Sequence, residues 1–295
     1  MSQKPNALAR FDSYWRLARF DKPVGIWLLL WPTLWALWLA AQGLPDFPRL
    51  LVFVAGTVLM RAAGCVLNDI ADRRFDGEVS RTSNRVLATG EVSLIEALLI
   101  ALVLLGASAS LLWYLNDLAA HYAYVAVFVA AVYPYFKRFF PMPQAVLGLA
   151  FGFGIPMAFA DTHGQVASIA WWIMLGNLAW AIAYDTAYAM VDRDDDLRLG
   201  VRSSAIFFGR FDVTAVWALQ AVFLALMLLV VWKTSVGWLY LIAWVLAVAW
   251  SIVLMRRLRS RRREDCFWVF QKSHWVGLLL WVGLALDFAA QNLLY

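Results

Sequence analysis

The acidic residues of this chain form two clusters whose spacing suits a divalent cation. Asn68, Asp72 and Asp76 stand at i, i+4 and i+8 within NDIADRRFD, and Tyr188, Asp192 and Asp196 repeat that spacing within YDTAYAMVDRDDD. Each four-residue step turns a helix by about 400°, so three such residues drift by only about 80° and share one face. Like charges one turn apart repel, and a divalent ion removes that repulsion. An all-oxygen donor set fits Mg²⁺, or Mn²⁺ in its place, better than Zn²⁺, which prefers His and Cys. Mg²⁺ takes one or two carboxylates and completes its shell with phosphate oxygens and water. Two stripes therefore point to two ions holding a diphosphate between them, with Asn68, Asp72, Asp76, Asp192 and Asp196 as the ligand set. One acidic stripe alone is most simply a solvated helix end; two copies at one membrane face are not.

The cations near these stripes fit an anionic ligand. Arg81 and Arg202 follow the two stripes at matching distances, and Lys137 and Lys22 lie at the ends of apolar segments. Each is also accounted for by membrane orientation alone. Arg61 is different, because it lies inside an apolar run, seven residues before Asn68 on the same face and about 10 Å deeper. An intramembrane arginine is costly and marks a site by default. A carboxylate, from Asp185 or from a substrate, is the partner it needs. We place Asp72, Asp76, Asp192, Asp196 and Arg61 at the reaction centre, with Asn68, Asp69, Arg81, Lys137, Asp185, Tyr188, Arg202 and Lys22 binding substrate.

The elements that position these residues cross a membrane. Of 295 residues, 63% are hydrophobic and only 15% charged, and 17 are Trp; an ordinary soluble domain is nearer half apolar and a quarter charged. A transmembrane helix needs roughly 20 mostly apolar residues. Nine stretches qualify, at about 24–41, 50–68, 94–115, 118–136, 143–160, 168–190, 213–232, 235–255 and 273–294, the fifth interrupted by Pro156. Lys and Arg accumulate in cytoplasmic loops. Here 22 of the 25 fall on the side of the N-terminus, from Lys4 through Arg74 to Lys272, against Arg49 and Lys233 opposite. The N-terminus and the segments 69–93 and 191–212 are thus expected in the cytoplasm. The net charge of +5 reads as orientation, not as nucleic-acid binding. Cys65 and Cys266, 201 positions apart, make no disulfide framework, and His121, His163 and His274 near helix ends have no metal spacing. The charged run 256–265 reads as topology signal and lipid contact, and Asp287 is expected at the outer interface.

The two stripes lie 120 residues apart, and SRTS at 80–83 corresponds to VRSS at 201–204, each followed by a glycine, Gly90 and Gly209. Internal repeats in membrane proteins often frame a central site. The expected organisation is one domain over 1–295, with pseudo-repeats at about 22–138 and 139–256 and a final helix at 273–294.

MRAAGCVLNDIADRRFDGEVSRT and AWAIAYDTAYAMVDRDDD resemble the two Asp-rich signatures of the UbiA superfamily of intramembrane prenyltransferases. RFDKPVGIWLLLWPTLWALWLA and FGFGIPMAFA are similar to the bacterial members that act on 4-hydroxybenzoate, and the likeness covers about 15–290. Val86, in NRVLATG, stands where the family usually has Pro. The resemblance implies an all-α integral membrane fold of nine helices in a ring, its central cavity capped by the 69–93 and 191–212 loops. It implies Mg²⁺-dependent transfer of a polyprenyl group from polyprenyl diphosphate to the carbon ortho to the hydroxyl of 4-hydroxybenzoate, in ubiquinone biosynthesis. The expected setting is the bacterial inner membrane, with lipid as neighbour and no obligatory protein partner. A naphthoate, homogentisate or haem acceptor is the alternative within the family.

Two other classes compete. A divalent-cation transporter would place its carboxylates near the bilayer midplane on broken helices, and a lipid-binding scaffold would need neither acidic stripe nor Arg61. Nine spans put the ends of the chain on opposite sides. Reporter fusions are expected to place the 69–93 and 191–212 segments in the cytoplasm and Tyr295 on the far side; a cytoplasmic C-terminus would mean an even number of spans.

Overall fold

Apolar runs closed by capping residues give twelve α-helices in the computed structural model, which describes residues 7–73, 76–79 and 81–294. Lys4, Arg74, Ser80 and Tyr295 lie outside the described residues. The helices are α1 (Ala7–Leu17), α2 (Val24–Ala41), α3 (Phe47–Asp72), α4 (Leu94–Ser110), α5 (Asp117–Phe136), α6 (Pro143–Gly152), α7 (Gly154–His163), α8 (Ser168–Leu199), α9 (Ser204–Phe208), α10 (Asp212–Lys233), α11 (Trp238–Leu258) and α12 (Arg263–Leu294). Caps explain several boundaries. The Asp46 side chain accepts from Arg49 N ahead of α3, Ser93 and Glu96 form a reciprocal capping box on α4, and Asn116 accepts from Ala119 N on α5.

Among the described residues, eight helical segments are long and apolar enough to cross a membrane. They match eight of the nine expected spans. The sixth expected span falls on α8, which has length enough at 32 residues but falls short in apolarity. The reason is its place: α8 packs against α6, α7, α10 and α12, so protein covers most of it and polar residues such as Asn177 and Thr186 are buried in it.

Three boundaries depart from the sequence reading. The segment 191–212 is not a loop, since α8 runs on to Leu199 and α9 follows. α12 starts at Arg263, ten residues before the expected span, with Glu264 and Asp265 in its first turn, where acidic residues suit the helix dipole. The fifth span breaks at Phe153, between α6 and α7, rather than at Pro156. Proline has no N–H for the carbonyl four residues back and its ring crowds that carbonyl, so the ladder fails one turn earlier.

Neighbouring helices pack in the order α2, α3, α5, α6 and α7, α8, α10, α11, α12 and back to α2, and α4 lies against α3. The densest packing is aromatic. Trp180 stacks on Phe223 at 5.2 Å, Trp35 lies 5.7 Å from the same ring, and Trp35 Nε1 donates to Gly277 O at 2.9 Å. Trp35 and Trp180 are fully buried. The tryptophans that face outward include Trp113, Trp232 and Trp238, at the ends of α4, α10 and α11 away from the acidic clusters, as an interfacial belt requires. On that side Arg49 is more than an orientation signal, for it bridges Asp46 and Asp161. Asp287, at the same end of the bundle, is buried rather than exposed there and accepts from Gly237 N and Leu239 N at the start of α11.

At Gly277 α12 comes close to α2 and α8: a Cβ there would fall within 3 Å of Trp31 and Trp180 atoms. Overpacking of this kind costs about 1–3 kcal/mol. Gly277→Val is therefore expected to lower the unfolding temperature of the detergent-solubilised protein by several degrees, read by tryptophan fluorescence, and an unchanged transition would contradict the packing.

Candidate active site

A cavity of ≈ 1090 Å³ opens among α2, α3, α5, α7, α8 and α12. Its deeper walls are apolar, with Phe53, Met60, Leu112, Val127 and Met157 among them. Its upper wall carries Lys22, Asn68, Asp69, Arg81, Lys137, Asp185 and Tyr188, and Arg61 stands two turns below Asn68 on α3. Eight of the sequence-predicted residues thus converge, with five exceptions: Asp72, Asp76, Asp192 and Asp196 are near cavity residues but not in its wall, and Arg202 lies apart from it.

Both acidic clusters sit at C-terminal helix ends. Asn68 and Asp72 occupy the last turns of α3, and Tyr188, Asp192 and Asp196 the last three turns of α8. Helix C-termini carry partial negative charge and favour cations. The second stripe stays on one helix face, but the first does not, because α3 ends at Asp72 and Asp76 opens a short 3₁₀ turn. Asp76 is buried there with Arg85 Nη1 donating to its two oxygens at 2.7 and 2.9 Å. Burial raises the Asp76 carboxyl above the usual range, and the Arg85 charge opposes that rise.

The remaining carboxylates are also paired. Lys137 Nζ donates to Asp72 Oδ2 at 2.7 Å and lies 3.4 Å from Asn68 Oδ1. Arg81 Nε donates to Asp192 at 2.9 and 3.0 Å, Arg81 Nη2 joins the same carboxylate, and the guanidinium lies 4.4 Å over the Tyr188 ring. Asp69, 2% exposed, is held by Arg19 at 2.8 and 3.0 Å and by Arg85 at 3.0 Å. It lines the cavity, but these pairs commit it to joining α3 to the turns before α2 and after Thr82. Asp196 is half-buried, within electrostatic reach of Asp192, Lys137 and Arg81. Arg202 does not reach the cavity: it is exposed, donates to Phe139 O at 2.7 Å, and its N–H donates to Lys137 O at 2.9 Å. Its place in the repeat pattern suggested a match to Arg81, yet the loop it belongs to braces the chain after α5.

Arg61 lies in the cavity wall with no carboxylate within 4 Å among the described residues, so Asp185 is not its ion-pair partner. Its guanidinium rests on Gly25, where a Cβ would collide with it, and Nη1 donates to Cys65 Sγ. Its Cζ is 5.9 Å from the Phe151 ring, and its Nε is buried without a partner. Asp185 also faces the cavity without an ion pair.

Sequence reasoning missed four groups here. Arg19 and Arg85 looked like orientation charges, and only the fold shows them clamping Asp69 and Asp76. Phe270 stacks on Tyr188 at 4.4 Å with Phe267 beside them, placing an aromatic wall next to Arg81. His274, expected as a bystander at a helix end, lines the cavity one turn beyond Phe270. Its signal was the spacing 267, 270, 274 on one face of α12. Val86 is buried against Leu17, Val66 and Val92 beneath the 81–92 turn, so its side chain fills space in the cap.

The donor set fits a hard divalent cation. The oxygens of Asn68 and Asp72 already converge on one ammonium, and no sulfur or imidazole stands with them. Among the described residues no three acidic, His or Cys ligands form a ready-made cage.

The sequence model of the UbiA prenyltransferase family matches residues 29–282. A 4-hydroxybenzoate octaprenyltransferase of Methylobacillus flagellatus is 50% identical over 99% of both chains. The enzyme of that name from Azoarcus sp. is 52% identical, over 95% of this chain and 97% of its own. In fold, a UbiA homologue from Aeropyrum pernix superposes with a TM-score of 0.78 at 24% identity, over 89% of this chain and 97% of its own. A UbiA homologue from Archaeoglobus fulgidus bound to GPP and Mg²⁺ gives 0.71 at 18% identity, over 94% of this chain and 99% of its own. With a family match over most of its length and half its residues shared with full-length relatives, the chain belongs to the UbiA prenyltransferase family.

Proposed function

We propose that this membrane enzyme transfers a polyprenyl group from polyprenyl diphosphate to the ring carbon ortho to the hydroxyl of 4-hydroxybenzoate, yielding 3-polyprenyl-4-hydroxybenzoate for ubiquinone synthesis. One observation carries the reading: two acid-bearing helix ends, each with a cation seated on it, meet at the mouth of an apolar cavity that holds an unpaired arginine. The names of relatives about half identical to the chain support the acceptor. The carboxylates stand in the final turns of α3 and α8 and not at mid-helix, which speaks against a transporter.

Asn68 and Asp72 at one helix end and Asp192 and Asp196 at the other would hold Mg²⁺, one ion at each, with Asp76 available to it only in exchange for Arg85. Bound Mg²⁺ supplies Lewis-acid neutralisation of the leaving diphosphate. Arg81, Lys137 and Lys22 bind the diphosphate oxygens by charge-assisted hydrogen bonds. Asp69 acts on the substrate indirectly, by fixing Arg19 and Arg85. Tyr188, Phe270 and Phe267 present ring faces to the allylic carbon; such faces stabilise a cation without attacking it. The prenyl tail lies along Leu112, Val127 and their apolar neighbours. Arg61 pairs with the acceptor's carboxylate through its planar fork. The C1–O bond breaks, the ring carbon bonds to C1, and the ring proton leaves. The enzyme sits in the bacterial inner membrane with α8 as a ninth span, its acidic helix ends in the cytoplasm and its two halves a duplicated unit.

Asp72→Ala and Asp192→Ala are each expected to lower prenylation of 4-hydroxybenzoate in Mg²⁺-supplied membranes by about a hundredfold or more, with EDTA abolishing wild-type turnover. Near-normal activity in either variant would overturn the two-stripe reading. Arg61→Lys keeps charge but loses the bidentate fork, so the KM for the aromatic acid is expected to rise far more than that for the prenyl diphosphate. A rise in the latter instead would make Arg61 a diphosphate group and move the acceptor elsewhere.

A further inference from the structure

Two of the site's carboxylates are satisfied by protein cations that stand where a metal would. Lys137 Nζ is 2.7 Å from Asp72 Oδ2 and 3.4 Å from Asn68 Oδ1. Arg81 covers both oxygens of Asp192 at 2.9 and 3.0 Å. Each pair joins a helix C-terminus to a cation from another segment: α3 to the residue after α5, and α8 to the turn after Asp76. A divalent ion bound by the same oxygens, at the roughly 2.1 Å of a Mg²⁺–oxygen bond, would stand within a few ångströms of an ammonium or guanidinium. That repulsion displaces the protein cation.

The displaced cations have few places to go. Asp69 is occupied by Arg19 and Arg85, and Asp76 by Arg85. Among the described residues, the cavity-lining carboxylates without an ion pair are Asp185 and the exposed Asp21, and Asp185 is the buried one of the two. Taking a cation out of an ion pair in a partly buried site and leaving it unpaired is unfavourable. A diphosphate changes this, because its oxygens accept both.

We propose that Lys137 and Arg81 are internal counter-ions that couple the two ligands of the site, so that the metal binds tightly only together with a diphosphate that receives the cations it displaces. The coupling is reciprocal by linkage: the prenyl diphosphate binds weakly without metal, because the carboxylates then keep their cations. Metal and diphosphate thus bind cooperatively, and each alone binds more weakly. This rests on the reading of Asp72 and Asp192 as metal ligands.

The sharp consequence is that deleting a cation strengthens metal binding. Mn²⁺ binding to the purified full chain in detergent is measured from the free-ion paramagnetic resonance signal, with and without geranyl thiolodiphosphate, a non-ionising analogue. For the wild type, the analogue is expected to tighten Mn²⁺ by about tenfold or more, within the usual range of coupling between sites. Lys137→Met, which keeps the apolar stem, is expected to bind Mn²⁺ alone about tenfold more tightly than wild type and to lose most of the enhancement. Arg81→Met is read in the same way and serves if the first variant does not fold. Mn²⁺ affinity in the folded variants equal to or below wild type overturns the proposal. Asp72→Asn separates the two ideas: if it lowers Mn²⁺ binding while the cation deletions do not raise it, the coupling fails and the metal site stands. If Asp72→Asn leaves Mn²⁺ binding unchanged, the metal reading fails and the proposal with it.

Discussion

The structure depends on neutralising carboxylates where a membrane protein meets water. At least six acidic side chains crowd the ends of α3 and α8 and the turn beyond Asp72, and four of them are less than a tenth exposed: Asp69, Asp76, Asp192 and Asp195. A buried carboxylate without a counter-charge costs several kcal/mol. The fold meets that demand with cations from other segments, Arg19 and Arg85 on Asp69, Arg85 on Asp76, Arg81 on Asp192 and Lys137 on Asp72. These pairs bring the 76–92 turn back over the cavity and hold the chain after α5 against α3. Electrostatics thus shapes the mouth of the site, and aromatic packing around Trp35 and Trp180 shapes the bundle beneath it.

The same arrangement prepares the site for a cation and an anion together. Helix C-termini and carboxylates give negative potential, while Arg81, Lys137 and Lys22 line the mouth with positive charge. A metal diphosphate matches both signs, and neither half of it does so alone. Deeper in the cavity the polarity falls away to ring faces and aliphatic chains. Arg61 interrupts that apolar depth, held on Gly25 and Cys65 without a carboxylate.

Much of this was legible in the sequence, for stated reasons. Apolar runs located seven of the spans to within a few residues, and the eighth, α12, began ten residues early because the charges of Arg263, Glu264, Asp265 and Lys272 masked its start. The 22-to-2 charge asymmetry and the repeated spacing at 68, 72, 76 and 188, 192, 196 put the two clusters on one side. Spacing failed where backbone direction changed: it assumed a helix through Asp76, but α3 stops at Asp72. It also failed for pairs made between distant segments. Arg85 and Asp69, or Arg202 and Phe139 O, are joined only by the folded chain. Symmetry between Arg81 and Arg202 was visible in the letters and absent from the contacts.

The most direct test of the two-stripe account is the number of metal ions held per chain. Detergent-purified protein, saturated with geranyl thiolodiphosphate and titrated with Mn²⁺ until the free-ion resonance signal rises linearly, is expected to retain two ions in the wild type and one each in Asp72→Asn and Asp192→Asn. A count that Asp192→Asn leaves unchanged would contradict it, and would assign the second helix end to charge balance with Arg81 and not to the metal.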